Sequence, residues 1–135
     1  MKITKMGEYG LLGLIHMVNH DKKIVLVKEV SEELGLPQKF MAKIFQKMAK
    51  KGILASFKGK KGGFSLNLPP EEITLLSVIK AIQGPPFIMW CSAEDAECER
   101  PGKCTLKSVF RHAQGLLDDY FNNITLKELT SGEDF

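Results

Sequence analysis

The sequence predicts an α+β fold, mainly α: a winged helix-turn-helix followed by a long C-terminal helix suited to dimerisation. Three observations predict it. Two short helical patterns meet across a Gly35-Leu36-Pro37 break. Two alternating runs flank a turn rich in lysine and glycine at 58–63. Apolar residues then recur at three- and four-residue steps from Leu106 to Phe121, the period of one long helix. A length of 135 residues suits one compact domain. With 44% hydrophobic and 26% charged residues the chain has globular rather than disordered composition.

The elements follow in order. Thr4 can cap a first helix with Leu11, Leu12, Ile15 and Val18 as its apolar stripe, fading at Asn19-His20-Asp21. Ile24-Val25-Leu26 is a short β-prone run. A second helix starts near Val27, with Val30 and Leu34 on one face and Gly35 as a left-handed C-terminal cap. Leu36 and Pro37 open a third helix that runs to Lys51, proline being suited to a first turn that needs no N–H. Phe40, Met41, Ile44, Phe45 and Met48 form its inward stripe, and Gly52 closes it. Strands are expected over 53–57 and 64–68, joined by Lys58-Gly59-Lys60-Lys61-Gly62-Gly63, whose glycines can adopt the positive φ of a hairpin turn. Thr74 caps a fourth helix with Leu75, Ile79 and Ile82 inward, ending at Gly84-Pro85-Pro86. Periodicity is lost over 87–103, where Pro101 and Gly102 let the backbone fold round an object and Phe87 and Trp90 are expected to pack beneath the segment. After the long helix, Thr125-Leu126-Lys127-Glu128 reads as a capping box opening a last turn.

Charge is distributed unevenly although its sum is only +3. Lys39, Lys43, Lys47, Lys50, Lys51, Lys58, Lys60 and Lys61 occupy 38–63 without one acid, whereas Glu94, Asp95, Glu97 and Glu99 crowd a later stretch. In the third helix Lys39, Lys43, Gln46, Lys47 and Lys50 lie opposite the apolar stripe. A charged helix face is often no more than a solvated surface. Here a basic hairpin with a Gly-rich tip follows, and the pair suits double-stranded DNA: a helix enters the major groove while lysines neutralise phosphates and release counterions. The start of the chain lacks the apolar core of a signal peptide and no run approaches a membrane span, so a cytoplasmic protein with no membrane partner is expected.

Cys91, Cys98 and Cys104 follow the spacing C-x6-C-x5-C. As a bare pattern this lacks the close pairs of common zinc sites, and an odd count in a reducing compartment speaks against a disulfide framework. Ordinary reduced cysteines, a zinc site, a disulfide switch and an Fe–S cluster all remain open on spacing alone. His16, His20 and His112 read as surface or satisfied core histidines. An enzyme such as a thiol oxidoreductase would need a C-x-x-C pair or a nucleophile with its base, and neither is visible.

Met1-Lys2-Ile3-Thr4 with Gly7 and Tyr9, the 59–63 tip before Phe64, the three-cysteine segment, and Asn122-Asn123-Ile124-Thr125-Leu126 with Glu128 and Leu129 together resemble the Rrf2 superfamily of bacterial transcription regulators, over nearly the whole chain. The terminal motif is similar to the IscR branch. The resemblance implies a homodimeric winged-helix regulator, activator or repressor, bound to operator DNA. Gln38, Lys39 and Lys43, with Lys47 behind them, would lie where the recognition helix meets DNA, and Lys58, Lys60 and Lys61 where the wing does. Ala42 stands where the IscR branch has an acidic residue that restricts operator choice.

The resemblance also implies that Cys91, Cys98 and Cys104 hold an Fe–S cluster, [4Fe–4S] in preference to [2Fe–2S], sensing redox state, nitric oxide or Fe–S supply. The segment is one residue longer than usual for cluster-binding members. Lys107 replaces the histidine that completes the ligand set in the IscR branch, and an ammonium has no lone pair for iron. Glu8 matches the position from which the NsrR branch supplies a partner-subunit aspartate; the alternative for Glu8 is a solvated first-turn carboxylate. A cluster-free regulator similar to the CymR branch, answering to a protein or small molecule, is the second reading. The expected division is 1–84 for DNA binding, 85–104 for the cluster segment and 105–135 for dimerisation.

Overall fold

The computed structural model describes residues 1–20, 22–93, 96–100 and 104–135. The reading of Pro101 and Gly102 as a turn round a bound group lies outside them. Thr4 caps α1 (Lys5–Asn19), its hydroxyl accepting the Gly7 amide at 3.1 Å, one of the donors a helix N-terminus leaves free. The buried face of α1 is not the predicted leucine stripe. Gly7, Gly10, Gly13, Leu14 and Met17 face inward, and Leu12 is exposed. Close approach is the reason: a Cβ at Gly10 would run into the Ile82 δ1 methyl, and one at Gly13 would stand 2.8 Å from Phe45 Cε1. Small residues one turn apart open a groove on α1 that the larger side chains of its neighbours fill.

Helix α2 (Val27–Leu34) buries Val30 and Ser31. Gly35 ends it in the left-handed region at φ 64, and Leu36 N–H returns to Ser31 C=O at 2.9 Å. Helix α3 (Gln38–Lys50) starts one step later than the sequence suggests. Pro37 occupies its cap with extended ψ rather than its first turn. Met41, Ile44, Phe45 and Met48 are buried as expected.

Strands β1 (Leu54–Phe57) and β2 (Gly63–Leu66) pair antiparallel with Leu54 opposite Leu66. Each is a residue or so shorter than the alternation suggests. Val25 adds a third edge by exchanging both backbone hydrogen bonds with Phe64 at 2.9 Å. Gly63 permits this crossing: its φ is 146, and a Cβ there would meet Val25 O at 2.5 Å. Phe64 stacks edge-on against Phe45 with centroids 5.4 Å apart, so the wing base is fixed to α3.

Thr74 caps α4 (Leu75–Gln83) through Ser77 N–H at 3.1 Å. Leu76, Val78, Ile79 and Ile82 are buried, while Leu75 is half-buried, a rotation of the expected face. A single 3₁₀ turn spans Trp90–Ser92, then α5 (Thr105–Asn122) and α6 (Leu126–Thr130) complete the chain. The last segment docks by backbone: Leu126 N–H donates to Ile73 C=O and Leu75 N–H to Ile124 C=O, both at 2.8 Å. Leu126 thereby enters the core at 1% exposure.

Candidate DNA-reading surface and cysteine segment

The outward face of α3 carries Gln38, Lys39, Lys43 and Lys47, all exposed. Their inward neighbours fix its direction, because Met41, Ile44, Phe45 and Met48 are fully buried. Lys58, Lys60 and Lys61 stand exposed on the wing tip. Among the described residues the ion pairs use Lys5, Lys22, Lys28 and Lys127, and none engages these six lysines. Lys47 differs from the rest, since its Nζ donates to the Ile82 carbonyl at 3.2 Å. That ammonium tethers α3 to the C-terminal end of α4, where helix carbonyls lack partners and favour a cation.

The cysteine segment hangs between α4 and α5. Cys91 lies in the 3₁₀ turn at 7% exposure, its Sγ donating to Met89 Sδ at 3.2 Å. Cys98 is half-buried, and Cys104, also half-buried, is the N-cap of α5. All three thiols are free. The segment is held by a residue that periodicity does not single out. Gln114, buried on α5, accepts the Ile88 amide at 2.8 Å and donates to the Pro86 carbonyl at 3.0 Å and to Asp118 at 2.8 Å. A lone polar residue on an apolar helix stripe is the one signal that pointed to it.

The expected shielding role of Phe87 and Trp90 is corrected: within one chain they are 47% and 55% exposed rather than packed beneath the segment. On α5 itself Leu106, Val109, Leu116 and Tyr120 are exposed to similar degrees, a row of apolar groups that a solvent-facing helix does not carry. Glu8, in the first turn of α1, is paired with Lys5 at 2.7 Å, and that carboxylate holds the Lys5 ammonium above its ordinary range. Among the described residues, the metal-ligating atoms that come within 4.8 Å of one another belong to His16, His20 and Glu33. The three sulfurs do not converge in that way, and ligands to different irons of one cluster have no need to.

A Gly-capped pair of helices with a lysine face, followed by a basic two-stranded wing, defines a winged helix-turn-helix protein. A family profile described as Rrf2, an iron-dependent transcriptional regulator, matches residues 3–132. The regulator IscR of Vibrio vulnificus is 29% identical over 97% of this chain and 78% of its own length, and IscR of Vibrio cholerae is 27% identical over 96% and 75%. The chain therefore belongs to the Rrf2 family of DNA-binding transcription regulators. Among solved structures, CymR of Staphylococcus aureus in its oxidised form superposes with a TM-score of 0.75 at 27% identity over all of both chains. CymR of B. subtilis, described as a global cysteine regulator, gives 0.80 at 21% over 99% of each, and T. potens IscR 0.74 at 20% over 96% and 85%. These last two speak for the fold alone. No helix among the described residues is long and apolar enough to cross a membrane.

Proposed function

We propose that this chain is an operator-binding regulator in which α3 reads the major groove, the wing holds the phosphate backbone, α5 pairs two copies, and the cysteine segment sets affinity through an Fe–S cluster. The DNA contacts rest on one observation: Lys39, Lys43, Lys58, Lys60 and Lys61 are exposed without a carboxylate partner among the described residues, on two elements locked together by Phe45 and Phe64. Gln38, Lys39 and Lys43 are assigned to base edges and nearby phosphates, and the wing lysines to phosphates. Lys47 serves chiefly to brace α3, given its bond to Ile82. The division into 1–84, 85–104 and 105–135 follows the same assignment.

The donor set fits a cluster in kind. Three free thiols lie on one segment, and thiolates are the usual protein ligands of Fe–S clusters. Cys91 would surrender its bond to Met89, and Cys104 sits at a helix N-terminus, where free N–H groups favour an anion. Glu8 of the partner copy is assigned as the remaining ligand. Its pairing with Lys5 is between exposed groups, where water and salt screen the attraction, so it is readily given up. A bound cluster supplies a redox-active centre. The residues then report its presence through the segment anchored by Gln114.

Three measurements test this. Replacing Lys60 or Lys61 by Ala lowers the slope of log K against log salt by about 0.9 per lost phosphate contact on every duplex, whereas Lys39→Ala or Lys43→Ala changes the preferred sequence in a random-duplex selection. Unchanged slopes for both wing variants exclude the wing contact. Iron and acid-labile sulfide analysis of anaerobically prepared protein tests the cluster. The 27% identity to S. aureus CymR over the whole of both chains and the Cys91 thiol bound to Met89 support the second reading, a cluster-free regulator answering to a protein or small molecule. Iron-free protein with full operator affinity establishes that reading instead.

A further inference from the structure

His16 departs from the satisfied histidine the sequence suggests. Its Nε2 is buried and has no hydrogen-bond partner among the described residues, although buried polar atoms rarely lack one. Glu33 Oε2 lies only 3.3 Å away, yet off the direction a ring N–H would need. His20, the C-terminal cap of α1, brings its ring to 5.3 Å from His16 at a tilt of 50°. One ligand atom from each of the three residues lies within 4.8 Å of the other two.

We propose that His16, His20 and Glu33 form a binding site for a divalent transition-metal ion, Zn²⁺ or a close analogue, that clamps α1 to α2. His16 in the last turn of α1 and His20 at its cap stand four residues apart with their rings side by side at the helix end, and paired imidazoles at that separation are common zinc ligands. Nitrogen and carboxylate ligands stand about 2.0–2.2 Å from zinc, so two of them at a tetrahedral angle lie roughly 3.3–3.5 Å apart. The His16–Glu33 separation matches that edge, and an ion seated off the N···O line accounts for both the short distance and the missing hydrogen bond. Two imidazoles and a carboxylate suit Zn²⁺, Cu²⁺ or Ni²⁺ rather than Mg²⁺ or Ca²⁺. Glu33 is half exposed while His16 is mostly buried, which leaves an open side for entry and for a water as fourth ligand.

One cost is visible. His20 Nδ1 accepts the exposed Lys22 amide at 3.1 Å, and a neutral imidazole has a single lone pair, so ligation surrenders that bond to water. The consequence lies in where the clamp acts. Glu33 belongs to the helix that leads through Gly35 into α3, so metal occupancy fixes the first half of the helix-turn-helix against α1. Neither helix carries a cysteine, and the site is independent of any cluster.

Because thiolates are themselves zinc ligands, the test uses the chain with Cys91, Cys98 and Cys104 changed to Ser, its helicity checked by circular dichroism, and the full chain in parallel. Calorimetric titration with Zn²⁺ is expected to show one equivalent bound by the cysteine-free chain and a raised Tm. Loss of even a ligand's supporting group lowers affinity 10- to 100-fold, so His16→Ala and Glu33→Ala each weaken binding by at least about tenfold. In the full chain His16→Ala lowers the visible d–d absorption of bound Co²⁺ while the intense thiolate charge-transfer bands stay. No saturable binding by a folded cysteine-free chain, or binding indifferent to both substitutions, overturns the site. If the cysteine-free chain does not fold, a Co²⁺ spectrum unchanged by His16→Ala overturns it alone. Iron-free protein would refute the cluster and leave these outcomes untouched.

Discussion

Gln114→Met is the sharpest probe of how the cysteine segment is held, because it keeps the shape of the side chain and removes only its hydrogen bonds. The native amide satisfies two backbone groups at once, the Ile88 N–H at 2.8 Å and the Pro86 C=O at 3.0 Å. A buried group stripped of its partner costs about 1–3 kcal/mol, and the Pro86 carbonyl is buried. The Ile88 amide is only part-buried and retains some access to water, so its share is nearer the ordinary net value of roughly 0.5–1.5 kcal/mol. The added apolar contact of methionine offsets a fraction, leaving a loss of about 2–4 kcal/mol. That is a large part of the 5–15 kcal/mol by which such domains are stable, and corresponds to a fall in Tm of roughly 6–14 °C for a domain of this size. Urea unfolding at fixed protein concentration reads the loss directly. The alkylation rate of Cys91, buried in the native turn, reads release of the segment and should rise. A stability change below about 0.5 kcal/mol, the scatter of neutral surface changes, with Cys91 still protected, refutes the anchoring role.

Four further outcomes follow from other parts of the molecule. Leu116→Glu, on the exposed apolar row of α5, should convert the proposed dimer to monomer by light scattering and weaken operator binding without unfolding the chain; an unchanged dimer assigns pairing to another surface. Thr125→Ala removes the cap of α6, costing about 1 kcal/mol. The Thr125 amide, and then its hydroxyl, hold the Glu128 carboxyl below its usual range, so the contribution of Glu128 is present at neutral pH and lost as pH falls through that lowered value. Glu128→Gln should flatten the acid limb of the stability curve there, and an unaltered limb dismisses the pairing. Cys98→Ala should abolish bound iron and sulfide in anaerobic preparations, whereas retention of both excludes it as a ligand.

Much of this fold is legible in the sequence because its determinants are local. Thr4, Thr74 and Thr125 each cap the helix that follows, Gly35 takes the left-handed turn, and the 58–63 tip carries its lysines outward. What was not legible depends on partners distant in the chain. The inward face of α1 is written in glycines, which hydropathy ranks below the leucines beside them, and their meaning appears only when Ile82 and Phe45 arrive from α4 and α3. Lys47 has the helical position of a DNA contact, and only the fold reveals the carbonyl that holds it. The cysteines are conspicuous as residue types, but Gln114, which fixes their segment, lies at a spacing that periodicity treats as an interruption. Glu33 and His16 belong to different helices, so no spacing rule joins them.

The proposed coupling between cysteine segment and DNA has a short physical route. The segment is bound to α5 at two points, through Gln114 and through Cys104 at the α5 cap, so a change in the cysteines bears on the helix proposed to pair the two copies. Its other end continues from α4, whose last carbonyls receive Lys47 from α3 and whose Ile82 fills the groove at Gly10 of α1. Operator affinity for a dimer depends on the spacing of two recognition helices, and half-sites tolerate little error because they repeat with the DNA helix. A shift in segment packing needs to bias that spacing by only about 1–3 kcal/mol to change affinity 5- to 150-fold. The two groups that bridge these elements, Gln114 and Lys47, each act through backbone carbonyls, Pro86 and Ile82, that lie four residues apart at the end of α4 and just beyond it. That stretch is therefore where the proposed signal from the cysteines would meet the position of α3.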